Sequence, residues 1–541
     1  MAHGLHTFLL SSWLSGVPCA SAVGEESSVP AREQATTSDE LESIAREISE
    51  LRTRNSELNG RLDDRIERPW LDACRMESIR GLVRDVLADS SRRTNLQDTG
   101  INVGYSRAQG FHITSPDNAF HLRLMGESQV RWVFNRNPSG EQYSNAQILE
   151  DRDLNRSTVS GSKTGSGFQI RNLKVKLLGH VIDPSWEFKI EMAFATDGVA
   201  EFQDAYLNKD LGDGFSFRIG QFKAPWLREQ LVSSVFQLAA DRSIIDGYFN
   251  AGRAVGLQGQ YRTDSLSLRA FYGNGFQSVM NADESYTNFL NSPTAWSFAG
   301  RVDWKLLGVW EVLQDFNARV DQEPGVMLGA AAMGQRFNGN AAFNDPFNIN
   351  LGPSLPTGPL IPGPDSIDGT KMYGITADVT AKWGGWSFYA AGVWQHFDLA
   401  TPTVDFAFPV NGSITYDFGA VNSWGVLVQG GYLLTDDLEL FARYAYLAPD
   451  LDDITIGFSA VAGGPPISGS RTLSLGNTAS SVLTLGANYF ITENLKFTLD
   501  WGINFNSGFV GLSEGALASR GWVPTNSSSE WNIRFQTQLL F

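Results

Sequence analysis

From Phe120 onward, apolar and polar residues alternate with a period of two. In the stretch Leu495–Phe505, the residues Leu495, Phe497, Leu499, Trp501, Ile503 and Phe505 take turns with Lys496, Thr498, Asp500, Gly502 and Asn504. Trp296–Lys305 and Trp531–Phe541 repeat the pattern. A period of two places successive side chains on opposite faces of a strand. Sixteen segments qualify: 120–134, 168–180, 185–196, 201–210, 214–223, 254–262, 265–276, 296–306, 326–337, 371–383, 385–397, 422–434, 437–446, 480–491, 493–506 and 529–541. Links after even-numbered segments are mostly tight, as at Leu211-Gly212-Asp213, Thr263-Asp264 and Thr435-Asp436; those after odd-numbered segments are mostly long. Short turns at one end and long links at the other predict an all-β membrane protein, a 16-stranded antiparallel transmembrane β-barrel over residues 110–541, apolar phase to lipid and polar phase to the lumen. Two links break the rule: Leu307–Gly325 is long after an even segment, and the one near Asp197-Gly198 is short after an odd one.

The N-terminal part has a different period. Leu41, Ile48, Asn55 and Leu62 share one heptad position, and Ile44, Leu51, Leu58 and Arg65 another. This predicts a short α-helical coiled coil over 39–68, with Asn55 fixing its register. The alternative is an amphipathic helix packed on its own domain. Pro69 ends the heptads, and 69–109 reads as a second helical stretch and linker. Ahead of them, 1–22 reads as a signal peptide with an apolar centre at Phe8–Leu14 and an Ala20-Ser21-Ala22 cleavage site, followed by a polar linker, 23–38.

Composition narrows the class. No apolar run after the N-terminus is long enough for a membrane helix. The two cysteines, Cys19 and Cys74, exclude a disulfide framework. A net charge of −17 argues against a nucleic-acid partner. No catalytic spacing is present, so no enzyme activity and no cofactor are expected; the six histidines are scattered and show no metal spacing. Asp450, Asp452 and Asp453 lack the EF-hand pattern and read as a solvated acidic loop.

The stretch Phe215–Tyr261 organises the rest. A strand, FSFRIGQFK, breaks at Ala224-Pro225-Trp226, and some thirty residues pass before the next strand, VGLQGQY. A link this long between amphipathic strands is usually functional. It is expected to fold into the barrel and narrow it.

Specific motifs surround that loop: DNAFHLRLMGESQVRW at Asp117–Trp132, FQDAYL at Phe202–Leu207, RIGQFKAPW at Arg218–Trp226, DRS at Asp241–Ser243 and GRAVGLQG at Gly252–Gly259. Together they resemble the phosphate-selective porin O and P family, over roughly Gly110–Phe541. Phe541, ending the last strand, resembles the terminal aromatic of bacterial outer-membrane barrels. The resemblance implies a trimeric barrel in the outer membrane, in contact with its lipid, with an inward third loop and passive uptake of small anions such as phosphate. The long loops would be extracellular and the coiled coil periplasmic. Familiar members line the pore with arginines and lysines. Here 29 basic residues face 42 acidic ones after Gln109, so the family pattern is better matched than its charge.

Anion selection needs fixed positive charge at the narrowest point. The candidates are Arg228, Arg242 and Arg253 on the loop, and Arg123, Arg131, Lys174, Lys176 and Arg218 on the polar phase of neighbouring strands, with Lys189 and Arg269 in the same early cluster. The competing reading is that the loop arginines only pin the loop to wall acids such as Glu127, Glu187, Glu191 and Asp204. Trp226 and Phe236 would pack on the wall. Two further readings of the whole chain stand beside the anion channel: a non-selective small-solute porin, and an envelope tether whose coiled coil contacts cell-wall material while the barrel anchors it.

Overall fold

The computed structural model describes residues 46–57 and most of 100–541; the segments 107–109, 139–140, 143–158, 161–162, 195–199, 277–293, 320–322, 338–368, 399–402, 407–410, 418–419, 452–453, 462–466, 474–478, 507–516 and 524–528 lie outside the description. The chain divides into two units, Met1–Thr99 and Gly100–Phe541.

In the first unit a helix spans 46–57 and is exposed along its length. Ile48 and Leu51, two of the expected seam residues, are 46% and 60% exposed in the single chain. The rest of the expected coiled coil, the second helix, the signal peptide and the linkers lie outside the described residues, apart from the last few positions before the barrel.

The second unit is a closed antiparallel barrel of sixteen strands: β1 (His121–Arg136), β2 (Thr164–His180), β3 (Trp186–Phe194), β4 (Ala200–Gly212), β5 (Phe215–Lys223), β6 (Arg253–Arg262), β7 (Leu266–Gly273), β8 (Thr294–Leu307), β9 (Gly325–Phe337), β10 (Lys371–Trp383), β11 (Trp386–Asp398), β12 (Ala420–Thr435), β13 (Leu438–Leu451), β14 (Ser480–Thr492), β15 (Leu495–Asn504) and β16 (Trp531–Leu540). Each strand pairs with its sequence neighbour, and β16 returns to β1 through Trp531↔Arg136 to Leu540↔Glu127. Closure leaves no unpaired edge among these strands, which is what a bilayer demands of a sheet. Strand bounds agree with the sequence periodicity to within a few residues.

Alternation sorts the faces. Along β10, Tyr373 and Ile375 are exposed outward while Thr376, Asp378, Thr380 and Lys382 are buried inward. Aromatic groups cluster at both ends of the wall: Trp383, Trp386 and Tyr432 near the short turns, and Trp296, Phe298 and Tyr373 near the long links. Such girdles sit at the two membrane interfaces.

Two features differ from the sequence expectation. Residues assigned to the linker form a hairpin strand, Asn102–Ser106, paired with Gly110–Thr114, which in turn pairs with the start of β1. The hairpin takes the edge of β1 just where β16 stops. There Phe541 N donates to Gly126 O at 3.1 Å and Gly126 N donates to Phe541 O at 2.6 Å. The Phe541 ring fills the space that a Cβ on Gly126 would need. Thr403–Phe406, Asn411–Asp417, Ile454–Val461 and Ile467–Leu473 form a separate four-stranded sheet from two of the long links.

Candidate channel constriction

The link from β5 to β6 lies inside the barrel. Pro225 ends β5, since it offers no N–H to continue the ladder. The chain then forms α1 (Arg228–Leu231), a 3₁₀ turn at Ser234–Phe236, and α2 (Ile244–Phe249), capped by Ser243, whose side chain accepts from Asp246 N. Its apolar residues, Trp226, Leu227, Val232, Leu238, Ile244, Ile245 and Phe249, are all at most 4% exposed. They pack on Met372, Tyr389, Val393, Phe397, Val421 and Phe441, which point inward from β10 to β13. This corrects the simple rule that the lumen phase is polar: where the loop covers the wall, that phase turns apolar. Gly425 permits the closest approach, for a Cβ there would lie 2.6 Å from Ile245 Cδ1.

Polar anchors fix the loop in register. Asp241, at the loop's centre, meets Arg131, Arg171 and Arg534. Burial opposes its ionisation, yet the arginines hold its carboxyl well below the usual carboxylate range. Glu229 accepts from Ser243 Oγ at 2.6 Å and Ser243 N at 2.7 Å. Burial and the neighbouring Asp246 push its carboxyl up. Asn488 and Lys496 donate to loop carbonyls, and Tyr248 Oη lies 2.8 Å from Ser423 Oγ.

Residues 308–319 of the irregular link after β8 also enter the barrel, from the opposite end. Its 3₁₀ turn, Glu311–Leu313, brings Leu313 O to Arg228, and Phe316 N donates to Phe236 O at 3.1 Å. Asp315 meets Lys382, and Glu439 accepts from Asn317 and Ala318. Leu517–Trp522 enters as well, its Ser519 and Arg520 carbonyls meeting Arg131 and Arg534. All three segments crowd the β9–β16 and β1 side.

What remains open is a cavity of about 670 Å³ between the loop and β2 to β8. Eleven lysines and arginines line it, against five carboxylates. Six of these cations are held in ion pairs. Lys174 and Lys176 face Glu191 and Glu127, Lys189 and Arg253 share Glu191 and Asp204, Arg171 meets Asp241, and Arg269 meets Asp303. The other five, Arg218, Lys223, Arg228, Arg242 and Arg262, make no ion pair among the described residues. Arg218 lies over the Tyr206 ring at 4.1 Å, and Arg262 over Trp310 at 4.7 Å. Lys223 donates to Gln230 O at 2.6 Å, and Arg242 to the carbonyls of Glu229 and Val232 at 3.0 and 2.8 Å.

The candidates read from sequence therefore divide. Arg228, Arg242, Arg253, Lys174, Lys176 and Arg218 line the cavity. Arg131 does not: it is 1% exposed behind the loop and serves as an anchor for Asp241. Arg123 stands beyond the cavity, near the short turns, opposite His112. Trp226 packs on the wall as expected, beside Gly374, whereas Phe236 is 37% exposed. Its backbone carbonyl accepts from Phe316 N. Sequence reading missed Lys223, Arg262 and Arg171, although Lys223 lies within RIGQFKAPW. It also missed the grouping of His112, His121 and His180, which only the register reveals.

A closed barrel of sixteen antiparallel strands, apolar outside and largely polar inside, has the architecture of an outer-membrane β-barrel. Residues 145–322 match the family model described as phosphate-selective porin O and P, in agreement with the motifs. Among solved structures the chain is similar to the in-vitro folded trimer form of OmpT from Vibrio cholerae (11% identity, TM-score 0.43, covering 78% of this chain and 100% of that one). It is likewise similar to the anion-selective porin from Comamonas acidovorans (11%, 0.43, 78% and 99%). A third is Salmonella typhi OmpF in complex with daunomycin (12%, 0.41, 79% and 99%). No curated protein matches the chain.

Proposed function

We propose that the barrel is a passive, anion-preferring channel of the outer membrane, that the loop 224–252 sets its narrowest section, and that small anions such as phosphate pass beside Arg218, Arg228, Arg242 and Arg262. The observation that carries this reading is the imbalance of the cavity wall, eleven cations to five carboxylates, in a chain whose net charge is −17. Net charge acts over the whole surface and is screened within about 10 Å of water. A passing ion responds to the wall it touches, where low-dielectric surroundings focus the field. Arginines keep their charge at any working pH. Those without a carboxylate partner keep more of their field for a solute than the paired cations, which hold the wall and the loop together.

In this reading the long links face the outside, the short turns face the periplasm, and three barrels associate. Residues 39–68 form a parallel three-stranded coiled coil in the periplasm; cross-linking with and without that segment tests it. The channel reading is tested by liposome swelling with the purified full chain. Small organic anions are expected to enter faster than neutral sugars of the same size. Equal rates would instead favour a non-selective porin, and no swelling with either would favour a barrel that serves only as an anchor.

A further inference from the structure

Three of the six histidines meet on one surface, far apart as they are in sequence. His121 begins β1 and pairs with His180 at the end of β2, their rings 5.5 Å apart and stacked at 23°. His112, on the hairpin strand, pairs with Arg123 and lies 6.0 Å from His121. On β1 the odd-numbered residues Glu127, Gln129 and Arg131 are the buried, lumen-facing ones, so His121 stands on the lumen phase. Its paired neighbours His180 and His112 share that face. The trio is thus on the inner surface at the short-turn mouth. His180 lies four residues along β2 from Lys176 on the cavity wall, roughly 13 Å at ~3.3 Å per residue.

Each imidazole is half-buried and has one nitrogen engaged. His121 Nδ1 lies 2.8 Å from Thr114 Oγ1, His180 Nε2 lies 2.9 Å from Asn118 O, and His112 Nδ1 lies 3.4 Å from Gly110 O. The other ring nitrogens have no partner among the described residues. The charged groups around the trio come from the neighbouring elements: Arg123 on β1, Asp117 in the turn that carries Asn118, Glu187 opposite His180 on β3, and Asp183 in the β2–β3 turn. From the outer hairpin strand only Asn102, Gly104 and Ser106 stand on that face.

We propose that His112, His121 and His180 form a second, proton-controlled selectivity site for small anions at the short-turn mouth, separate from the arginines of the constriction. Imidazole is the side chain whose ordinary titration falls between pH 5 and 8. Above that range the mouth offers neutral rings. Protonation of an imidazole there adds positive charge beside Arg123 on one face, and a passing anion meets a field that was absent before. Carboxylates in ordinary surroundings stay ionised down to about pH 5, and the histidine variant isolates the share of any change between pH 7.5 and 6.0 that the imidazoles carry. The inference rests on the barrel being a channel.

The test is single-channel recording of the full chain in planar bilayers under a salt gradient, at pH 7.5 and at pH 6.0, with the H112Q/H121Q/H180Q variant beside the native protein. The native channel is expected to gain anion preference on the order of two-fold as pH falls, from added charge at a mouth narrower than a few Debye lengths. The variant is expected to lose that gain. Acidifying only the short-turn side should suffice. A variant that keeps the full pH response overturns the proposal, as does a conducting native channel with none. Should the native protein form no channel under any condition, the porin reading itself falls, and this inference with it. Heat-resistant migration of the variant in detergent separates a misfolded barrel from a silent mouth.

Discussion

Arg253 Nε donates to Asp204 Oδ1 at 2.7 Å, and its terminal nitrogen lies 3.5 Å from Glu191 Oε1. Lys189 shares both carboxylates, at 2.5 Å from Asp204 and 2.7 Å from Glu191. Arg253 thus returns the loop to the wall at the first residue of β6, and its charge is already matched. Arg253→Ala is expected to loosen that return and raise current noise, with a smaller loss of anion preference than Arg242→Ala causes. Comparing the two variants by single-channel recording checks this; equal losses of selectivity would place Arg253 among the ion-contacting groups.

Asp241 is the loop's central anchor. Removing one partner of a buried ion pair costs about 3 to 5 kcal/mol, because the remaining charges are left buried and unmatched. Asp241→Ala abandons Arg131, Arg171 and Arg534 together. The expected result is a barrel that still closes but holds its loop weakly, seen as larger, flickering conductance and as new protease cleavage between residues 224 and 252. Quiet conductance of native size would contradict the anchoring role.

The acid response of that anchoring follows from two carboxylates of the loop. The carboxyl of Asp241 is depressed in the folded state, so its stabilisation is present above the ordinary carboxylate pKa and is lost only as pH falls through the lower folded value. Glu229 is raised; its stabilising contribution is fully present below the ordinary value and is lost as pH rises through the folded one. Neither sign predicts loosening on mild acidification. Current noise from the loop is expected not to rise as pH falls from about pH 8 to about pH 5, even as the histidine mouth changes selectivity. Onset of flicker within that window would contradict it.

Closure of the barrel depends on the fit of Phe541 against Gly126. Gly126→Val is expected to displace the ring and the two backbone hydrogen bonds between these residues. Overpacking of this kind costs about 1 to 3 kcal/mol. The measurement is the fraction of heat-resistant barrel after refolding in detergent, which should fall relative to the native chain, with Gly126→Ala intermediate. Unchanged yield for both would show that the last residue of the chain contributes nothing to closure.

The barrel was legible in the sequence because period two and turn spacing are local signals, and sixteen of them in the right order leave little freedom. The terminal hairpin was not, since five-residue strands carry too few alternations. The loop's location was legible from its length and from the break at Ala224-Pro225-Trp226. The role of each arginine was not, because a partner such as Asp204 for Arg253, or a carbonyl of Val232 for Arg242, is set by tertiary contact. The long link Leu307–Gly325 was visible as an exception to the short-turn rule; that residues 308–319 of it enter the barrel and meet Arg228 depends on Leu313 and Phe316 finding the loop. Likewise His112, His121 and His180 converge only once strand register is known.

The central claim is that cavity arginines free of carboxylates select anions. A fixed charge about 5 Å from an ion is worth roughly 1 to 3 kcal/mol between the aqueous and partly desolvated limits. Removing three of them should therefore lower anion preference several-fold. The direct measurement is the reversal potential in a potassium chloride gradient at neutral pH, for the native chain and for R218Q/R242Q/R262Q. Potassium and chloride move almost equally fast in water, so the sign reports the wall's preference. The native channel is expected to show the anion sign and the variant a potential close to zero or reversed. A cation-selective native channel, or a variant whose potential equals the native one, would contradict the claim.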